Sequence, residues 1–171
     1  MKATLKLNDG REIAVDISEE TLKEIEKPVK KTGYEINTVN DLWYFVDDES
    51  HVLDTSESLI TTDFRDNHYN NANFYTDKTV AENNARADAL KRKLRRFAVE
   101  HRNKKLDWNN FFEKKWEIYY FHPDKIIRIA VNTNSRGFGS ISFDTKEAAE
   151  AAVEEFKDEL IWYFTEYKDS L

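Results

Sequence analysis

The chain has 171 residues, no cysteine, four glycines and two prolines, and 13% of its residues are aromatic. A chain of this length can bury enough apolar surface to fold without disulfide bonds, and the absence of cysteine excludes a thiolate zinc site and a cysteine nucleophile. No apolar stretch is long enough to cross a membrane, and the first residues lack the apolar core of a signal peptide. We therefore expect a cytoplasmic protein without a membrane partner.

The net charge of −7 is distributed unevenly along the chain. Residues 35–85 carry 2 basic and 11 acidic side chains, residues 86–143 carry 14 and 6, and residues 144–171 carry 3 and 9. These blocks fit two interpretations. They are either the solvated faces of ordinary helices or a bipolar surface that attracts a charged partner.

The first 33 residues are predicted to form an N-terminal appendage. Two alternating apolar segments flank Asn8-Asp9-Gly10, a sequence typical of a tight β-hairpin turn. Ser18 is then a suitable cap for a short helix that ends at Pro28. Residues 27–33 have the composition of a linker, which places a boundary near residue 33.

From residue 34 onward the chain is predicted to repeat itself with a period of 68 residues. The segment Tyr75–Glu82 aligns with Phe143–Glu150, because both contain an aromatic strand end, a helix-capping residue and an Ala-Glu pair. Thr76 and Asp144 occupy the predicted capping positions. This similarity indicates two copies of one structural unit.

The repeat predicts an α+β fold with two β-β-β-α units, residues 34–105 and 106–171, each packing one long helix on an antiparallel sheet. Periodicity places the first helix at about 77–102, with basic ridges outside, and the second at about 145–168, with an acidic outer face. The asparagine-rich segment 66–73 is predicted to be a loop, either a binding tip or a connection.

Residues 136–143 resemble the K/R-G-F/Y-G/A-F-V-x-F/Y signature of RNA-recognition motifs at all positions but one. The difference is Ser140, where that family has an aromatic ring on which a base stacks. The preceding predicted strands, 116–121 and 125–131, are joined by a tight turn, which leaves no room for the crossover helix of that fold. The resemblance therefore indicates a strand that enters a helix, with Ser140 and Ser142 pointing away from the core.

Several aromatic segments resemble a family of small uncharacterised proteins encoded by phages and prophages of Gram-positive bacteria. These segments are 73–98, Asp107-Trp108, 115–120, 138–143 and 159–164. The resemblance covers roughly residues 34–168 and involves structural rather than catalytic motifs. It implies a location in the cytoplasm of an infected or lysogenic host. Small phage proteins often bind and block a host enzyme, including RNA-guided immune nucleases.

No pattern in the sequence indicates an enzyme. The four histidines lie in separate segments without metal-ligand spacing, and there is no phosphate-binding loop, dinucleotide fingerprint or nucleophile elbow. Asp107 with Glu113, Lys114 and Lys115 is similar to the acid-and-lysine cluster of metal-dependent nucleases, but so short a pattern arises readily in a chain with 35% charged residues. We expect no catalytic residue, no metal and no cofactor.

Two non-enzymatic functions remain. The first, which the net negative charge favours, is an anti-CRISPR-like protein that binds and inhibits or modulates a host nucleic-acid-processing or immune enzyme through the acidic helix face. The second is a nucleic-acid-binding module that uses the basic helix 86–105 and sheet aromatics. The predicted protein-binding residues are Glu147, Glu150, Glu154 and Asp158. The predicted nucleic-acid-binding residues are Arg92, Arg95, Arg96, Arg102, Lys104, Lys105, Tyr119 and Phe138.

Overall fold

The computed structural model describes residues 2–6, 10–16, 18–20, 32–35, 42–55 and 61–168. Its contacts divide the chain into two compact units, Met1–Lys31 and Thr32–Leu171. Strands and helices are both present, and all strand pairs are antiparallel in the described part, which confirms the predicted α+β class. None of the helices described here is both long and apolar enough to cross a lipid bilayer.

The first unit contains the predicted hairpin. Strands β1 (Lys2–Lys6) and β2 (Glu12–Asp16) pair in antiparallel register. Gly10 lies between them with a φ of +86°, a conformation that glycine adopts without steric cost. The turn residues Asn8 and Asp9 lie outside the described residues. Of the helix predicted to begin after Ser18 and to end at Pro28, only Glu19 and Glu20 are described, and both are helical.

The first predicted repeat contains a two-stranded ribbon and two helices. Its elements are β3 (Tyr44–Val46), β4 (Val52–Asp54), α1 (Thr62–Asn70) and α2 (Lys78–Glu100). No third strand occurs among the described residues of this repeat; Tyr75 forms a single antiparallel bridge with Tyr44. Their backbones exchange two hydrogen bonds, of 2.8 and 2.9 Å.

The predicted loop 66–73 is wrong for its first five residues, which belong to helix α1. Thr61 caps this helix, because its hydroxyl oxygen accepts a hydrogen bond from the Phe64 amide. Phe64 then packs its ring 5.4 Å from the ring of Phe45, centre to centre. The sequence did not predict this helix because it is rich in asparagine and its apolar face is narrow.

The second predicted repeat has a three-stranded sheet followed by two short helices. Its elements are β5 (Lys115–Phe121), β6 (Ile126–Asn132), β7 (Ser142–Phe143), α3 (Lys146–Glu155) and α4 (Lys157–Thr165). The strand order is β6-β5-β7. The single helix predicted for about 145–168 is interrupted at Phe156, whose ψ of 21° departs from helical geometry. The ring of Phe156 packs edge-on against Phe97, 5.6 Å away.

The residues that cap helices α2 and α3 each lie one position later than predicted. Asp77 caps α2 and Thr145 caps α3, each by accepting a hydrogen bond from a backbone amide three residues ahead. Thr76 instead donates its hydroxyl proton to the carboxylate of Glu35. Asp144 accepts hydrogen bonds from the backbone amides of residues 103 and 104, at 2.7 and 3.2 Å. Both side chains therefore connect distant segments.

Helix α2 contributes to two hydrophobic cores. Near its start, Val80 and Ala81 are buried together with Tyr75. Farther along, its buried residues join side chains of β7, α3 and α4 in a second core. That core contains Leu90, Leu94, Ala98, Phe143, Ala148, Ala149, Ala152 and Leu160. The predicted units 34–105 and 106–171 therefore share a helix within the single compact unit Thr32–Leu171.

Candidate functional site

A basic cleft of about 440 Å³ lies between the end of helix α2, the segment 102–108 and the segment 136–142. Its lining includes four cationic side chains and no carboxylate. The cations are Arg95, Arg102, Lys105 and Arg136. Apolar side chains of α2 and the indole of Trp108 form much of the remaining wall. We call this feature the basic cleft.

The four cations of the basic cleft have no carboxylate partner among the residues that the structure describes. Other cations nearby have partners: Arg96 pairs with Glu100, and Lys104 pairs with Glu113. In the part of the chain that the structure describes, none of the four cleft cations lies within ion-pair distance of a carboxylate. A concave surface of one charge concentrates the electric field and attracts counter-ions or an anionic ligand.

Trp108 provides the aromatic wall of the basic cleft. The guanidinium of Arg136 lies 5.5 Å from the centre of its ring, and Lys115 Nζ lies 5.2 Å from it. Both distances are within the range of cation–π attraction. These contacts join the segment around Trp108 to the segment around Arg136, although the two are well separated in sequence.

A buried lysine holds the loop that carries Trp108. Lys115, at the start of β5, is completely buried. Its ammonium donates hydrogen bonds to the backbone carbonyls of Asn110, at 2.9 Å, and Thr133, at 3.3 Å. Because these carbonyls lie on two different segments, Lys115 fastens residues 107–113 to the end of the sheet.

Glu113 completes this support. Its carboxylate accepts hydrogen bonds from Lys104 Nζ and from the Asp107 amide, each at 2.7 Å. The hydrogen bond from Lys104 is the main reason that the pKa of Glu113 lies below its usual value. The acid-and-lysine cluster noted in the sequence thus stabilises the loop. Among the residues described, no group of three or more acidic or histidine side chains is arranged to hold a metal ion.

Three phenylalanines are exposed to solvent on the loops that carry Trp108 and Arg136 of the basic cleft. Phe111 is 64% exposed and Phe112 is 95% exposed, and both follow Trp108 in the same loop. Phe138, between Arg136 and Ser140, is fully exposed. Exposed large apolar rings on neighbouring loops are typical of binding surfaces. Phe138 is among the residues predicted from the sequence, whereas Phe111 and Phe112 are not. The sequence signal for these two rings is only an aromatic pair in a polar segment.

The alternation predicted around residues 140–143 is seen for Ile141, Ser142 and Phe143, but Ser140 lies before strand β7, where its hydroxyl donates a hydrogen bond to the Gly137 carbonyl. Phe143 is buried in the core and Ile141 packs against it. Ser142 lies on the other face, where its hydroxyl donates a 2.9 Å hydrogen bond to Glu117. Tyr119 lies on that same outer face and is 37% exposed, but it does not line the basic cleft.

The structure brings together only part of the predicted basic set. Arg95, Arg102 and Lys105 line the basic cleft, but the other three do not. Arg92 donates to Ser50, Arg96 pairs with Glu100, and Lys104 pairs with Glu113. Arg136 and Trp108 line the cleft in their place. The only sequence signal for these two residues is that Arg136 belongs to the segment that resembles the RNA-recognition signature and Trp108 to a segment that resembles the phage-encoded family.

The predicted acidic residues are all exposed, on two helices rather than one. Glu147, Glu150 and Glu154 belong to α3, and Asp158 lies in the first turn of α4. Glu150 forms a 2.6 Å ion pair with Lys146. Within the described residues, Glu147, Glu154 and Asp158 form no ion pair. We call these four residues the acidic face.

Comparison of the chain with family models, with curated proteins and with solved structures found no match. The resemblance to phage-encoded proteins therefore stays a prediction. The candidate site has to be interpreted from its own geometry and charge.

Proposed function

We propose that this protein is a non-enzymatic module that binds single-stranded nucleic acid in the basic cleft. The observation that supports this function best is the group of four cleft cations near Trp108, which have no carboxylate partner in the described part of the chain. Arginine and lysine side chains in such a cleft bind phosphates and release the counter-ions of the strand. This is the second of the two functions that the sequence suggested.

The exposed rings favour a single strand over a duplex. Phe112 and Phe138 are almost fully exposed, and they belong to the two loops that also carry Trp108 and Arg136 of the basic cleft. A single strand can stack its bases on such rings, whereas the bases of a duplex are already stacked on one another. Stacking on phenylalanine tolerates any base, so we expect little sequence preference.

The net charge of −7 is compatible with this function. Electrostatic repulsion between exposed charges is screened over about 8 Å at physiological ionic strength. A strand in the basic cleft therefore responds mainly to the cations that surround it. The acidic face weakens the long-range attraction without occupying the cleft.

A variant of the basic cleft tests this proposal. Arg95, Lys105 and Arg136 are replaced together by glutamine, and binding of a labelled oligothymidine is followed by fluorescence anisotropy at several salt concentrations. Each phosphate contact on a single strand contributes about 0.7 to the slope of log K against log salt, so the loss of three contacts lowers the slope by about 2. Affinity at low salt falls accordingly.

The matched control replaces Arg92, Lys93 and Arg96, three exposed basic residues of the same helix that do not line the cleft. This control makes the same change in net charge. We expect it to keep most of the affinity and of the salt slope. Equal losses in the two variants, or no binding by the parent protein, would contradict the proposal.

The acidic face supports a second candidate function, which is the first suggested by the sequence. Three exposed carboxylates without ion-pair partners in the described residues can contact a basic groove on a host protein, such as an RNA-guided nuclease. We place this function second because the acidic face is also what a solvated helix surface presents. The phage origin and the host cytoplasm belong with this second proposal.

A further inference from the structure

A small apolar pocket lies next to the basic cleft. Its volume is about 180 Å³, and its walls come from helices α2 and α4 and strand β5. The apolar lining consists of Leu90, Leu94, Ile118, Ile141, Leu160 and Phe164, with the ring of Tyr163 beside them. A dry apolar cavity of about 150 Å³ can hold a benzene molecule, so this pocket has room for one six-membered ring.

The short strand β7 leaves the pocket open. β7 pairs only with Trp116 and Glu117 of β5, so its pairing stops before Ile118. From there the chain at residues 139–141 turns away and becomes one wall of the pocket. Gly139, in this turn, has a φ of +76° and no atom within 4 Å of the position of a Cβ.

The pocket and the basic cleft lie on two sides of one segment. Ser140 and Ile141 line both cavities. A ligand that crosses this segment can therefore place an apolar ring on one side and a negative charge on the other. Lys91, whose ammonium lies 5.6 Å from the ring centre of Tyr163, adds a hydrogen-bond donor to the lining of the pocket.

We propose that this pocket takes one unstacked base of the strand whose phosphates occupy the basic cleft, an inference that rests on the proposed function. A nucleotide carries both groups that the two cavities select, an aromatic ring with a polar edge and a phosphate. An apolar side chain of a protein partner would fill the pocket but bring no negative charge to the four cations. At one position of the strand, the protein would thus bind the base as well as the phosphates.

The experiment compares two oligonucleotides by fluorescence anisotropy. One is an oligothymidine of about 12 nucleotides, and the other has the same backbone with its central bases removed. We expect the parent protein to bind the intact strand about tenfold more tightly, because base–aromatic stacking is lost with the bases. Exposed rings also contribute to this preference, so the decisive measurement uses a variant of the pocket.

Tyr163→Ala removes one of the two aromatic rings that line the pocket, the other being Phe164, and it leaves every cation of the basic cleft in place. We expect it to lose most of the preference for the intact strand while keeping the parent's affinity for the strand without bases. The matched control is Tyr119→Ala, which makes the same chemical change on the outer face of the sheet. It should keep the full preference.

Each outcome decides between the two proposals. If Tyr163→Ala keeps the parent's preference, or loses affinity for both strands equally, the base pocket is wrong while the cleft still binds nucleic acid. If neither strand binds the parent, the proposed function itself is wrong. Should thermal melting show that Tyr163→Ala is unfolded, Tyr163→Leu keeps an apolar wall without the ring, and it has to show the same loss of preference.

Discussion

At the scale of single residues, Gly33 has the least room for a side chain among the four glycines. Its φ is +88°, and a Cβ there would lie 2.9 Å from Val80 Cγ2, inside the buried start of helix α2. The segment around it is held by Glu35, whose carboxylate accepts hydrogen bonds from Thr32, Gly33 and Thr76. These bonds, above all the one from the Thr32 amide, lower the pKa of Glu35 to about 2.

We predict that Gly33→Ala destabilises the protein by about 1–3 kcal/mol, since a positive φ and a steric overlap coincide there. Urea denaturation measures the loss. The matched control is Gly139→Ala, which has a φ of +76° but free space around the new methyl group. This control should lose less, because it bears backbone strain alone. Equal losses of stability in both variants would show that Val80 moves away from the new methyl group without an energetic cost.

At the scale of elements, the loop 107–113 depends on one buried ammonium. Lys115 satisfies two backbone carbonyls, those of Asn110 and Thr133, which no other side chain reaches among the described residues. Removing a buried charge also removes its desolvation cost. The Asn110 carbonyl keeps a hydrogen bond from the Glu113 amide, but the Thr133 carbonyl loses its donor and Glu113 loses an ion-pair partner 3.8 Å away. A polar group left without its partner in this way costs about 1–3 kcal/mol, which outweighs the gain.

We therefore predict that Lys115→Met lowers the free energy of unfolding by about 1–3 kcal/mol and weakens oligonucleotide binding. Binding weakens because Trp108 is carried by the same loop. Lys114→Met is the matched control: it is the same substitution at the exposed neighbouring residue, and it should leave stability within about 0.5 kcal/mol of the parent. A stable Lys115→Met variant with full binding would show that the loop is held by Glu113 alone.

Helix α2 and helix α4 are joined by a contact that the charge pattern did not predict. The Arg86 guanidinium donates two hydrogen bonds to the Glu159 carboxylate, at 2.8 and 3.0 Å, and lies 3.9 Å from the ring centre of Trp162. The hydrogen bond from Arg86 lowers the pKa of Glu159. A planar guanidinium suits both contacts, because it can pair with a carboxylate and stack on a ring at once.

At the scale of the whole molecule, the basic cleft and the acidic face are formed by different elements. The basic cleft lies between α2 and the segments at 102–108 and 136–142, and the acidic face lies on α3 and α4. Separation of this kind steers an anionic strand toward one surface and repels it from the other. It also allows the two candidate functions to be tested independently.

Replacement of Glu150, Glu154 and Asp158 by lysine provides that test. We predict an unchanged circular dichroism spectrum, because the three side chains are exposed, and oligonucleotide binding at least as tight as that of the parent, because repulsion is reduced. Weaker oligonucleotide binding would contradict this expectation. A host protein that is captured by the parent after nuclease treatment, and lost only with this variant, would favour the second candidate function.

The sequence by itself determined the features that consecutive residues encode. The 3.6-residue period of α2, the hairpin of β1 and β2, and the alternation of Ile141 and Phe143 were all predicted, because each depends on neighbouring side chains and local backbone geometry. The exposure of the four acidic residues followed from the same helical period.

Only the tertiary structure decided which of these elements share a core and which side chains meet. The helix break at Phe156 accompanies packing against Phe97, a residue of another element. Arg136 joins Arg95 because a buried lysine and a tryptophan draw two loops together. Such long-range contacts depend on how whole elements pack, and no period or motif within a single segment records them.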